Sequence, residues 1–206
     1  MVWPERPRGA AMSRRRNAGP PSAAGKSVVL IGLMGSGKST IGRRLAQRLG
    51  IGYIDADAEI EEAAGCSIED IFTFHGEEAF RDGERRVIKR LLDGPAHVLA
   101  AGGGAFMDER TRATMADRAT TVWLRADIEV LVRRVRRTDS RPLLRGGDPH
   151  EILAKLKEER EPFYAQADLT VDSDDGAADN VVDDIVRKLA EHRAKEAADE
   201  EPYPDP

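Results

Sequence analysis

The strongest constraint on this chain lies between residues 27 and 49. An apolar run, Ser27-Val28-Val29-Leu30-Ile31, leads into Gly32-Leu33-Met34-Gly35-Ser36-Gly37-Lys38-Ser39-Thr40. A segment with Ile41, Leu45 and Leu49 on one helical face follows, stopped by Gly50. Strand, G-x-x-x-x-G-K-[ST] turn and helix, in that order, spell a phosphate-binding loop. Glycines allow the tight turn and bring backbone N–H groups against phosphate oxygens, at the positive end of a helix. The spacing puts Lys38 at the β- and γ-phosphates and the Ser39 hydroxyl on Mg²⁺. The chain is therefore expected to bind a nucleoside triphosphate. What it does with the γ-phosphate has to be read elsewhere.

Strand and helix signals alternate along the rest of the chain. Strands are expected at Tyr53–Asp55, His97–Ala101, Thr120–Leu124 and Leu169–Val171. Helices are expected at 58–64, 68–74, 77–92, 108–115, 127–136, 149–164 and 181–192, with a capping box at Ser67-Ile68-Glu69-Asp70 and Pro149 in a first turn. Such alternation implies a parallel sheet covered by helices on both faces. Right-handed crossovers then bring the strand C-terminal ends to one edge, where ligands bind in open α/β sheets. The phosphate loop, Asp55 and Gly102 all fall on that edge.

Composition narrows the alternatives. The 206 residues suffice for one domain with a substantial core. Residues 1–25, which include Arg14-Arg15-Arg16 and a second methionine at Met12, carry no apolar periodicity; neither do residues 194–206. Both ends are expected to be disordered. The N-terminal stretch lacks the apolar core of a secretory signal. A formal net charge of −5 argues against nucleic-acid binding, and no stretch approaches the length of a membrane span. One cysteine, Cys66, fits a reducing cytoplasm and a packing role.

Three further groups carry chemistry. Asp55-Ala56-Asp57 offers one carboxylate to orient water on Mg²⁺ and one to accept a hydroxyl proton. Asp57 also stands where a helix cap is needed, so both roles are open to it. Gly102-Gly103-Gly104 suits close backbone approach to a ligand, or a strand exit at positive φ. Arg81, Arg141 and Arg160 would each, taken singly, be solvated surface arginines. A loop arginine such as Arg141 is also a known device for binding transferring phosphate.

Taken in order, these segments resemble the shikimate kinases. The resemblance rests on residues 32–40, Asp55-Ala56-Asp57, Ile71-Phe72 with Gly76-Glu77 and Phe80-Arg81, Gly102-Gly103-Gly104-Ala105, Arg141-Pro142-Leu143-Leu144, and Glu159-Arg160 with Tyr164. It implies a three-layer α/β/α P-loop kinase domain over 26–193 with a central five-stranded parallel sheet. It also implies a substrate-binding region at 57–92 and a mobile lid at 139–148. The implied reaction moves the γ-phosphate of ATP to the 3-hydroxyl of shikimate, giving 3-phosphoshikimate for aromatic amino acid biosynthesis. Lys38, Asp57 and Arg141 would be catalytic. Gly35, Ser36, Gly37, Lys38, Ser39, Thr40, Arg137 and Arg141 would bind ATP, with Arg137 over adenine. Asp57, Arg81, Gly103, Gly104 and Arg160 would bind shikimate, and Ser39 and Asp55 would hold Mg²⁺. A cytoplasmic monomer is expected. Three features depart from the family pattern: the loop between Arg137 and Arg141 is short, Asp172-Ser173-Asp174-Asp175-Gly176 is acidic where an adenine loop is usual, and residues 97–104 contain no acid at the end of the third strand. The rival readings are a related small-acid kinase, such as gluconate kinase, and a regulatory protein that binds ATP without transferring phosphate.

Overall fold

Five parallel strands form the centre of the molecule. They are β1 (Ser27–Ile31), β2 (Gly52–Asp55), β3 (His97–Ala100), β4 (Ala119–Arg125) and β5 (Leu169–Asp172), in the spatial order β2-β3-β1-β4-β5. The computed structural model describes residues 25–137, 147–173 and 176–200. The helices are α1 (Lys38–Leu49), α2 (Ala56–Ala64), α3 (Ile68–Leu92), α4 (Glu109–Arg118), α5 (Ile128–Arg136), α6 (Pro149–Tyr164) and α7 (Ala178–Glu200), with a 3₁₀ turn at Ala105–Met107.

The three central strands are buried almost end to end, as a doubly covered sheet requires, while β2 and β5 at the edges are half-exposed. Side chains alternate between two cores. Val28, Leu30, Val122 and Leu124 pack with Ile41 and Leu45 of α1 and Ile185 and Leu189 of α7. Val29, Ile31, Leu99 and Trp123 face the opposite way, against residues of α3, α4, α5 and α6. A third cluster, Ile60, Ile71, Phe80 and Val87, joins α2 to α3. This small core gives the expected substrate-binding region its own rigidity.

Several boundaries differ from the sequence expectation, most by one to three residues, and three differences have a clear cause. Helix α2 starts at Ala56, two residues early, because Asp55 and not Asp57 is its cap: the Asp55 side chain accepts from the Asp57 backbone N–H at 3.2 Å. The helices expected at 68–74 and 77–92 form one continuous element, α3, interrupted at Gly76, whose φ of 78° and ψ of 175° suit only glycine. The capping box at Ser67 and Asp70 is present. Helix α7 runs on to Glu200, so residues 194–200 are helical where a disordered tail was expected. Ala194, Lys195, Glu196, Ala197 and Ala198 are strong helix formers, and Lys26 pairs with Glu196 at 3.2 Å. A helix already nucleated by its buried first turns extends at little cost. Residues 1–24 and 201–206 lie outside the described residues. Among those described, no helix is long and apolar enough to cross a membrane.

Candidate active site

A crevice of about 580 Å³ runs along the C-terminal edge of the sheet. Its floor is the phosphate loop between β1 and α1. Gly32, Gly35 and Gly37 hold φ of 140°, 84° and 94°, values that L side chains rarely adopt. Crowding excludes side chains as well: a Cβ on Gly32 would sit 2.7 Å from the Leu124 carbonyl oxygen, and one on Gly35 would sit 2.9 Å from Val135. Lys38 Nζ donates to the carbonyls of Gly32 at 2.8 Å and Leu33 at 3.0 Å. Ser39 and Thr40 open α1 at the crevice wall.

Asp55 leaves the end of β2 and faces Ser39. One carboxylate oxygen caps α2; the other accepts from the Tyr53 hydroxyl at 3.1 Å and from Ser39 Oγ at 3.4 Å. With Asp55 serving as cap, Asp57 is released from that task. It sits in the first turn of α2 with its carboxylate beside Gly102, where a Cβ would lie 2.9 Å from Asp57 Oδ1.

The three glycines after β3 make room for four different side chains. None has positive φ, so a strained strand exit does not explain them. A Cβ on Gly102 would crowd Asp57 and Glu84, one on Gly103 would lie 3.1 Å from Arg160 Nη1, and one on Gly104 would lie 2.6 Å from Arg81 Nη2. Arg81 and Arg160 come from α3 and α6, far apart in sequence. They meet over consecutive residues of a single turn, beside Asp57 at Gly102.

Each arginine is held from behind. Arg81 Nη1 donates to Glu84 Oε2 at 2.7 Å, and its guanidinium also pairs with Glu77 at 3.3 Å. Glu84 is 2% exposed. Burial pushes its carboxyl above the usual glutamate range and outweighs the opposing pull of Arg81; Asp57 and Asp108 add to the rise. Tyr164, 1% exposed, donates its hydroxyl to the Gly103 carbonyl at 2.5 Å, and Arg160 lies beside that hydroxyl. Burial raises the Tyr164 phenol pKa, with Arg160 acting in the opposite direction.

Glu84 and Tyr164 were not singled out as functional from the sequence, although Tyr164 belongs to the matching set. A signal for Glu84 was present. It shares the helical phase of Phe80, Val87 and Ile88, so its charge falls on a buried face. For Tyr164 the sign was its place in the matching set; no local pattern pointed to its partner Gly103, 61 residues away.

Comparison with known proteins settles the family. The family model described as shikimate kinase matches residues 34–190. A shikimate kinase from Bradyrhizobium diazoefficiens is 54% identical over 177 residues, 86% of either chain. One from Nitrobacter winogradskyi is 56% identical over 166 residues, 81% of this chain and 78% of that relative. The chain belongs to the shikimate kinase family. Among solved structures, a shikimate kinase from Acinetobacter baumannii in complex with shikimate superposes with a TM-score of 0.77 at 36% identity, covering 81% of this chain and 94% of that one. A gluconokinase from Sinorhizobium meliloti, at 18% identity and a TM-score of 0.58, shares the fold.

Within this shikimate kinase fold, most predicted residues converge on the crevice: Gly35, Gly37, Lys38, Ser39, Thr40, Asp55, Asp57, Arg81, Gly103, Gly104 and Arg160 all line it. Ser36 is buried beneath the loop. Arg137 is not brought in. It is exposed at the C-cap of α5, because the helix ends at Arg136, whereas Arg134, one turn earlier, lines the crevice. Arg141 and residues 138–146 of the expected lid lie outside the described residues. No group of three or more His, Cys, Asp or Glu side chains that could hold a metal ion occurs among the described residues. One hydroxyl and one carboxylate 3.4 Å apart instead offer hard oxygen donors to an ion that keeps most of its waters and binds substrate phosphates, which suits Mg²⁺.

Proposed function

We propose that this crevice moves the γ-phosphate of ATP onto the 3-hydroxyl of shikimate. The observation that carries the reading is the meeting of Arg81 and Arg160 over Gly103 and Gly104, beside Asp57 and facing the phosphate loop. Two guanidinium groups on one small turn match a single carboxylate, and arginine binds it through paired N–H groups. Shikimate held there by its acid end presents its ring hydroxyls to Asp57. The 3-hydroxyl oxygen attacks the γ-phosphorus, the bond to the ADP oxygen breaks, and the hydroxyl proton passes to the Asp57 carboxylate. Lys38 exchanges its two loop carbonyls for phosphate oxygens and stabilises the charge that spreads there. Ser39 and Asp55 are the residues that would hold Mg²⁺, which when bound neutralises the β- and γ-phosphate oxygens. Arg141 would add charge at the same oxygens. The enzyme is expected to act as a cytoplasmic monomer.

ADP release in a coupled assay tests this directly. Turnover should be stimulated by shikimate and not by gluconate, with the product phosphorylated at the 3-position by ³¹P NMR. Stimulation by gluconate instead would point to the related kinase. Nucleotide binding with no stimulation by either acid would point to a regulatory protein.

A further inference from the structure

The turn that carries Gly102, Gly103 and Gly104 runs straight into the 3₁₀ turn Ala105–Met107. The two act as one unit, because the Gly102 carbonyl accepts from the Ala105 N–H and the Gly104 carbonyl from the Met107 N–H, both at 3.0 Å. So short a turn leaves its last carbonyls without partners of its own, and Phe106 is 3% exposed, so water is a poor substitute. Arg112, in the first turn of α4, supplies the donors. Its Nη1 donates to the Phe106 carbonyl and to the Met107 carbonyl, each at 2.8 Å. The same guanidinium lies over the Phe163 ring, with Cζ 5.0 Å from the ring centre, close enough for cation–π attraction. Phe163 belongs to α6, three residues past Arg160 and so on the same side of that helix.

One guanidinium thus touches, from behind, the glycine turn on which Arg81 and Arg160 meet and the helix that carries Arg160. Pro162 sits in the same stretch of α6 and supplies no N–H to the helix ladder, so this end of the helix relies on ties from outside. Tyr164 provides one, through its hydroxyl on the Gly103 carbonyl. Arg112 provides a second, through Phe163. We propose that Arg112 is a positioning residue for the acid substrate: it keeps the glycine turn and the Arg160 end of α6 in one register, so that Arg81 and Arg160 close on a single carboxylate. Arg112 acts through these neighbours and touches no reacting atom. The role rests on shikimate being held in the crevice by its acid end.

The methyl ester of shikimate separates this role from a general loosening of the turn, because it keeps the ring hydroxyls and lacks the charge. Calorimetric titration of the full chain with shikimate, the ester and ATP should be compared for wild type and Arg112→Met, which keeps an apolar stem against Phe163 and has no donors. Shikimate should weaken by about tenfold, the worth of roughly one hydrogen bond, while the ester and ATP stay within about twofold. Unchanged affinity for shikimate would overturn the proposal. Equal weakening of acid and ester, or of acid and ATP, would also overturn it and leave Arg112 a purely structural residue. Should Arg112→Met fail to fold by circular dichroism, Phe163→Leu decides alone, since it removes the ring beneath the guanidinium and keeps the apolar contact. That variant should lose about three- to fivefold in affinity for the acid and none for the ester; no loss, or equal losses, would overturn the proposal. Wild type that binds ATP without distinguishing acid from ester would refute the carboxylate grip itself, a result separate from a variant that keeps the full wild-type preference for the acid.

Discussion

Replacing Gly104 by alanine separates function from stability more cleanly than removing either arginine. Gly104 has φ of −98° and ψ of −12°, a conformation open to any residue, so the backbone carries no strain. The new methyl would lie 2.6 and 2.7 Å from the two terminal nitrogens of Arg81 and 2.9 Å from Cζ. Ordinary contacts need about 3.5 Å, so the guanidinium must retreat by nearly 1 Å. Arg81 is long and 28% exposed, and it can retreat by flexing its side chain. The cost to the fold should therefore be below about 1 kcal/mol, a Tm change of roughly 2–4 °C for a chain of this size. The cost to the site is larger. A charge-assisted bond is worth about 1.5–3 kcal/mol, so misplacing the guanidinium should raise the KM for shikimate by about 10- to 100-fold. The KM for ATP should not move. Steady-state kinetics with each substrate varied in turn, with a thermal melt alongside, would check this. An unchanged KM for shikimate would refute the placement of Arg81 at the substrate, and equal rises in both KM values would indicate general damage.

Other consequences can be measured in the same assays. Asp57→Asn should lower kcat by about 10²–10⁴ if the carboxylate accepts the hydroxyl proton, and a loss under about tenfold would reduce it to a binding group. Tyr164→Phe removes the hydroxyl from the Gly103 carbonyl and from Arg160; the KM for shikimate should rise by about 5- to 20-fold with kcat nearly preserved, and a fall in kcat alone would contradict that positioning role. Glu84→Gln tests the buried acid through pH. A folded-state pKa above the unfolded value means that native Glu84 holds its proton where the unfolded chain has lost it, so its contribution to stability declines as pH rises from the ordinary glutamate range through the raised value. Urea melts from about pH 4 to 7 should show the wild type losing ground relative to Glu84→Gln as pH rises, and the opposite trend would refute the effect of burial.

The fold was legible because its strands are buried on both faces and read as short apolar runs between glycines and helix signals. Val28 to Ile31 left little choice, and His97 to Ala101 was read one residue too long, since β3 ends at Ala100. The start of α2 was misjudged because two aspartates compete to cap it, and only geometry shows which N–H group the Asp55 oxygen receives. Gly76 looked like an end to a helix; in the structure it redirects one element. The end of α7 was missed because a solvated alanine- and glutamate-rich helix has the composition of a disordered tail. In the site, the residues at strand ends were readable from topology alone. Arg81 and Arg160 were readable only as parts of an ordered set, since each alone resembles a surface charge. The supporting contacts stayed hidden: Tyr164 reaches Gly103, and Arg112 reaches Phe163, across separations that no local pattern records. Arg137 was chosen for adenine by its position next to the expected lid, whereas the α5 helix turn brings Arg134 into the crevice.

The central claim is that two guanidinium groups grip one carboxylate. Calorimetric titration of shikimate against its methyl ester, on wild type and on Arg81→Ala/Arg160→Ala, tests it most directly. The ester keeps the ring hydroxyls and loses the charge, so wild type should prefer the acid by about 30-fold or more, and the preference should fall to within about threefold in the double variant. Equal affinity of wild type for acid and ester, or a preference that survives loss of both arginines, would contradict the account.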